Sequence, residues 1–214
     1  MTTDMNPQPS DAELVRRTQA GELDAFEALA TRYERNVYSL ALRMLRQVQD
    51  AEDVTQQTFL SVLENLKGFR GEASFSTWLL RIVTHPALKV IRKRRGLDTV
   101  SLEEAAEGSE DGGPVPHPEY IADWRQSPEE LVPKNEIQRL LDEALAQLEE
   151  KHRRVLILRD VEGMSVRETA ESLGLSEVNV KVRLLCARLQ LRERLTRAFG
   201  DPARRIERRS HAHE

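Results

Sequence analysis

Cysteine is almost absent from this 214-residue chain, where Cys186 stands alone. That excludes an internal disulfide framework and a Cys-rich zinc site, and it fits a reducing, cytoplasmic location. Aromatic residues are scarce at 5%, while charged residues make up 32% and the mean hydropathy is -0.55. That balance favours small helical domains over a β-sandwich. No apolar run approaches the roughly 20 residues needed to span a bilayer. The opening MTTDMNPQPSDAE is acidic and polar, unlike a signal peptide. No membrane insertion is expected. Gly-rich phosphate loops, paired catalytic carboxylate motifs and metal-ligand spacings are also missing, so the chain reads as a non-enzyme with no catalytic residue, metal or cofactor. His211 and His213 in SHAHE have no neighbouring ligand partner and read as part of a polar tail.

What the chain does have is charge, and it is segregated. The net charge is -4, yet residues 70 to 95 hold seven basic side chains and one acid, Glu72. Residues 98 to 130 hold ten acids and a single Arg125, and residues 181 to 209 hold ten basic residues against Glu193, Asp201 and Glu207. Two basic blocks flanking an acidic one imply two sites on a polyanion, joined by a segment that should avoid it.

Residues 1–9 carry two prolines and read as a disordered N-terminus. A first helical domain, 10–96, opens at Ser10-Asp-Ala-Glu13, a capping-box pattern. Phe26, Leu29, Tyr33, Val37, Leu40 and Met44 recur at threes and fours, one apolar stripe on a long helix. Asp50 is placed to cap the next helix, with Thr55, Phe59, Val62 and Leu66 as its buried side and Asp53, Gln56, Gln57 and Leu60 on the other. After the Gly-bearing loop LKGFRGEASF, a helix capped near Ser74 or Ser76 ends in a basic run before Gly96. Pro86 inside it removes one hydrogen bond at a cost of ~3 kcal/mol, which predicts a kink or break near His85. Residues 97–131 are rich in Glu, Asp, Gly and Pro and read as a flexible acidic linker. A second helical domain, 132–197, places Ile137, Leu140, Leu141, Leu145 and Leu148 on one side of its first helix. Val155, Leu156 and Leu158 follow on another helix after the charged turn EEKHRR. Residues 198–214 are a basic tail.

The stretch SVRETAESLGLSEVNVKVRLLCARL, 165 to 189, carries two competing periods. Val178, Val180 and Val182 alternate as in a strand, but Val180, Leu184, Ala187 and Leu191 recur at helical spacing for longer than a strand runs. Ser165-Val-Arg-Glu168 is a second capping box, Gly174 supplies a left-handed stop, and Ser176 caps the next helix. Two short helices about a Gly-containing turn, the second exposing Asn179, Lys181 and Arg183, match a helix-turn-helix that enters the major groove. Val178, Leu185 and Leu189 would widen the buried stripe. The basic excess continues through Arg188, Arg192, Arg194 and Arg197, suited to phosphates. The bland reading is a helical hairpin with a solvated basic face.

In the first basic block, the loop Lys67 to Ser74 and Trp78 lie near Lys89, Arg92, Lys93, Arg94 and Arg95. Aromatics beside cations suit opened or single strands, where bases stack on flat rings or enter a pocket. Phe75 and Trp78 read better as core; the loop and the cationic run are the functional candidates.

DAEDVTQQTFLSVLENLKGFRGEASFSTWLLRI resembles region 2 of the sigma-70 family, in its extracytoplasmic-function (ECF) group. LEEKHRRVLILRDVEGMSVRETAESLGLSEVNVKVRLLCARLQLRERL resembles region 4 of the same group. The resemblance implies an all-α chain of two small helical domains, region 2 and a region 4 helix-turn-helix, joined by a flexible acidic linker. It implies a subunit that binds core RNA polymerase and directs promoter-specific initiation. Asp50, Asp53, Gln56, Gln57 and Leu60 would lie on the core-polymerase-binding helix. Lys67, Phe69, Arg70 and Ser74 would belong to the loop that captures a flipped base of the minus-ten element. Lys89, Arg92, Lys93, Arg94 and Arg95 would meet minus-ten duplex. Arg167, Ser176, Asn179, Lys181, Arg183 and Arg188 would face the minus-thirty-five element. The acidic linker would pass through the RNA-exit path, mimicking the charge of nascent RNA. An anti-sigma factor is a further expected partner.

The chain departs from the family pattern in three places. His85-Pro86 replaces Asn and a small residue, Val182 stands where serine is common, and Leu185-Cys186 replaces a frequent His-Arg pair. These changes imply an unusual promoter preference or tighter burial of this helix against a partner. A stand-alone helix-turn-helix regulator, with the N-terminal part as a dimerisation or sensor module, is the rival reading.

Overall fold

A computed structural model of the chain describes residues 9–94, 96 and 134–199. Among these residues every regular element is helical, and they fall into two compact units divided at Thr99 and Val100. Arg95, the acidic segment 97–131 and the end of the tail from residue 200 lie outside the described residues.

The first unit holds four helices, α1 (Asp11–Gln19), α2 (Leu23–Leu45), α3 (Val48–Asn65) and α4 (Phe75–Arg94), with a 3-10 turn at Leu66–Gly68. Helix α2 packs against the other three, and α4 packs on α3 as well. Ser10 caps α1 by accepting from the Glu13 amide at 3.2 Å. The Glu13 carboxylate pairs with Arg16. The periodic stripe on α2 is buried at Leu29, Val37, Leu40 and Met44 and half-buried at Phe26 and Tyr33. Helix α3 differs from expectation by a small rotation: Ala51, Val54, Thr58 and Val62 are its buried residues, while Thr55 and Phe59 are half-buried. Small residues at 51, 54 and 58 let α3 approach α2 closely, which the larger Phe59 would prevent.

Asp50 does not cap α3. Its N-cap is Gln47, and Asp50 sits in the first turn, where a carboxylate complements the positive end of the helix dipole. Helix α4 runs through Pro86 without a break. Val83 before the proline, and Ala87 and Ile91 after it, are at most 3% exposed. Burying large apolar side chains at ~1.5–3 kcal/mol each offsets the single lost hydrogen bond.

The second unit is formed by α5 (Lys134–Ala146), α6 (Glu150–Leu156), a π-helical turn at Ile157–Val161, α7 (Val166–Leu173) and α8 (Glu177–Phe199). Helix α8 packs against α5, α6 and α7. EEKHRR is not a turn: α6 begins inside it, and His152, Arg153 and Arg154 are buried. Arg153 donates to the carbonyls of Ala146 (3.3 Å) and Leu148 (3.2 Å). Those carbonyls lie at the end of α5, so the cation stops one helix while starting the next.

Candidate nucleic-acid and partner interfaces

The helical hairpin α7–α8 is set by its caps. Ser165 Oγ accepts from the Glu168 amide (3.2 Å), and the Glu168 carboxylate accepts from the Ser165 amide (2.7 Å), a complete capping box. Gly174 ends α7 at φ 68°. Ser176 Oγ accepts from the Asn179 amide at 3.2 Å, which fixes the start of α8.

The outward face of α8 is not the one expected. Arg183 is only 4% exposed, so it belongs to the packed side and not to the exposed one. Val178 (66% exposed) and Leu185 (49%) do not widen the buried stripe. They lie with Lys181, Arg188 and Arg192 on one exposed face, at spacings of three and four. This stripe runs opposite Val180, Leu184 and Ala187, which are buried. Asn179 is half-buried and Cys186 buried.

Several cations on this unit are already engaged. Arg188 makes a two-pronged pair with Asp160 (2.7 and 2.8 Å), and hydrogen bonding to that carboxylate raises its already high pKa. The π-helical turn, closed by the Glu162 amide on the Ile157 carbonyl at 2.9 Å, contains this aspartate. Arg167, on α7, pairs with Glu171 at 2.9 Å, Arg197 with Glu193 at 2.6 Å, and Arg194 donates to the Gln147 carbonyl at 3.2 Å. Beside Arg188, Leu141, Leu145, Leu156, Leu191 and Leu195 line an apolar groove of about 440 Å³.

In the first unit the loop after α3 is pinned from behind. Gln19 Nε2 donates to the carbonyls of Leu66 and Phe69, both at 2.9 Å. Phe69 leans on Trp78 (ring centroids 5.0 Å apart) and Phe75 (6.2 Å), and Phe75 meets Tyr33 edge-on. The aromatics therefore form a wall under the loop, with Phe75 buried and Phe69 and Trp78 half-buried. Lys67, Arg70 and Ser74 are exposed. Ser74 is also the cap of α4, accepting from the Thr77 amide at 3.1 Å.

Further along α4, His85, Lys89, Arg92 and Lys93 are exposed on one side, opposite Val83, Ala87 and Ile91. Arg94 is different. It donates to the Leu45 carbonyl (2.8 Å) and Gln47 Oε1 (2.7 Å) and pairs with Asp50, so both members of the pair are tied to the fold. At 1.5 Å rise per residue, Ser74 and Arg92 lie about 27 Å apart along the helix. The loop and the cationic run are thus two separate exposed surfaces.

On α3, Asp53, Gln56, Gln57 and Leu60 are all exposed. Gln56 and Leu60 border a groove of about 770 Å³ between α2 and α3, floored by Phe26, Tyr38, Phe59 and Leu63. Among the described residues no group of three or more His, Cys, Asp or Glu side chains is placed to hold a metal ion, and no helix is long and apolar enough to cross a membrane.

Comparison with known proteins agrees with the resemblance. Residues 29–96 match the family model Sigma-70 region 2, and residues 138–191 match Sigma-70, region 4. The RNA polymerase sigma-H factor of Pseudomonas aeruginosa is 33% identical over 86% of this chain and 93% of its own length. The ECF RNA polymerase sigma factor SigW of Bacillus subtilis is 30% identical over 85% and 94%. In solved structures, the fold resembles CnrH in complex with the cytosolic domain of CnrY (TM-score 0.56, 24% identity, 89% of this chain and 99% of that one). It also resembles the sigma factor RpoE in complex with the anti-sigma factor NepR from Bartonella quintana (TM-score 0.54, 20% identity, 80% and 96%). Both family regions in this order, and relatives matched along nearly their whole length, make the chain a member of the ECF group of the sigma-70 family, an RNA polymerase sigma factor and not an enzyme.

Proposed function

We propose a division of labour in which three separate surfaces let this sigma factor direct initiation. Core RNA polymerase is held at the exposed side of α3, through Asp53, Gln56, Gln57 and Leu60 and the groove beside them. Asp50 supports that helix from within, through Arg94. The loop from Lys67 to Ser74 receives an unstacked base of the minus-ten element above the aromatic wall, while Lys89, Arg92 and Lys93 follow adjoining duplex. The exposed face of α8, centred on Lys181, enters the major groove at the minus-thirty-five element, with Arg167 near phosphate. Arg183 supports α8 from inside.

The observation that carries this reading is the separation of chemistries: a carboxamide-rich, uncharged-to-acidic helix face on α3 and two cationic surfaces elsewhere. The acidic side chains repel phosphate and the uncharged amides add no attraction at long range, so α3 suits a protein partner. The cationic faces suit DNA. The acidic segment 97–131 would connect the two without binding the duplex. An anti-sigma factor that covers the apolar grooves is a further partner in this reading, and the site of action is the cytoplasm.

Run-off transcription with purified core polymerase tests it. Promoter-specific transcripts that need both this chain and core polymerase are expected. A symmetric footprint formed without polymerase would favour a stand-alone regulator instead.

A further inference from the structure

We infer that Val178 and Leu185 read thymine methyl groups in the upstream promoter element, making them specificity-determining residues of this sigma factor. The inference rests on the assignment of α8 as the reading helix. Val178 and Leu185 are 66% and 49% exposed, flanking Lys181 on the outward face of the first three turns of α8. Branched aliphatics held in water on an otherwise charged helix face gain most when they are covered by apolar surface. In the major groove the one apolar group on a base edge is the thymine C5-methyl.

The usual alternative, an arginine fork on guanine, is poorly served along the stretch of this face that carries the two aliphatics, since the exposed Arg192 lies seven residues beyond Leu185. Arg183 is 4% exposed and packed inward, and Arg188 already directs Nε and one terminal nitrogen at Asp160, at 2.8 and 2.7 Å. Lys181 remains as the cation between the two aliphatics, placed to meet a phosphate or the O4, O6 or N7 acceptors that border the methyls. Val178 and Leu185 are seven residues apart, about 10.5 Å along the helix. At 3.4 Å per base pair that spans about three base-pair steps, so the two methyls should be separated by about that distance.

The test uses the full chain assembled with core polymerase, on a promoter obtained by footprinting that holoenzyme on genomic fragments. Each thymine of the upstream element is replaced in turn by deoxyuridine, which removes only the methyl. Two replacements about three steps apart should each weaken binding about fourfold, equivalent to the ~0.8 kcal/mol of one buried methyl-sized group. Leu185→Ala and Val178→Ala should each lose a similar factor on thymine DNA, and each should become indifferent to deoxyuridine at one position. Indifference of the unaltered protein at every upstream thymine overturns the inference, as does an upstream element without thymine. Loss of core-polymerase affinity by Leu185→Ala in the absence of DNA also overturns it, because the face would then dock a protein. Absence of any upstream protection would instead remove the reading-helix assignment itself, so the two failures are distinguishable.

Discussion

Arg94, in the last turn of α4, pairs with Asp50, in the first turn of α3. The same guanidinium donates to the Leu45 carbonyl, where α2 ends, and to Gln47, which begins α3. One side chain therefore joins the ends of three helices. Because the pair is about a third exposed, its Coulomb part is small and the hydrogen bonds matter more. Arg94→Ala should destabilise the first unit by ~1–2 kcal/mol, a fall of roughly 5–10 °C in its melting temperature. Asp50→Asn should cost less. Calorimetry of the two variants checks this order. A stable Arg94→Ala protein that has lost only DNA affinity would return Arg94 to the minus-ten surface.

Lys181 and Arg183 differ by two residues and should behave as different kinds of residue. Lys181 is exposed, and Arg183 is 4% exposed. Lys181→Ala should leave stability unchanged and, as a phosphate contact, lower the salt dependence of upstream binding by about one unit of slope. Arg183→Ala should destabilise the second unit by ~1–3 kcal/mol, the range for removing a buried side chain and the interactions built around it. Thermal melts paired with salt titrations of DNA binding separate the two effects.

On α3, the polar side chains chosen for the polymerase are outside the core. Asp53→Ala combined with Gln56→Ala should therefore weaken the complex with core polymerase about tenfold, ~1.4 kcal/mol, while the melting temperature holds. Surface plasmon resonance on immobilised core polymerase reads the first quantity. An unchanged affinity would move the contact elsewhere.

Tyr33 offers a pH-dependent reporter of the first unit. Burial, helped by the hydrogen bond its hydroxyl donates to Asp11, pushes its pKa up to about 12. The folded protein keeps this proton when the unfolded chain, with an ordinary value near 10, has lost it. The stabilisation is thus full below pH 10 and declines as pH rises from about 10 to 12. An absorbance titration of the phenols should show one delayed tyrosine, absent in Tyr33→Phe, and that variant should lose less stability over the same window.

Structure was legible in the sequence where local chemistry decides it. Ser165, Glu168, Gly174 and Ser176 each perform the capping or turn role that their residue types favour, since such roles depend on neighbours within four positions. The periodic core of α2 was legible for the same reason. Facing on α8 was less legible, because Val178 and Leu185 look like core residues by type. Only the packing of α5, α6 and α7 against the opposite side leaves them outside. Arg183 shows the converse, since a cation reads as exposed until its surroundings are known. Pro86 read as a break because its local cost is visible in the sequence, whereas the buried residues on either side that offset it are a tertiary property. The π-helical turn containing Asp160 had no local signature at all; its pairing with Arg188 spans 28 residues.

The measurement that bears most directly on the division of labour is a footprint of the reconstituted holoenzyme on promoter DNA, taken with run-off transcription. Two protected patches are expected, one upstream and sensitive to Lys181→Ala, the other around the start-proximal opened region and sensitive to changes at Lys89, Arg92 and Lys93. Specific transcripts should accompany them. A chain that fails to associate with core polymerase, or that associates yet starts no RNA at defined sites, would contradict the account.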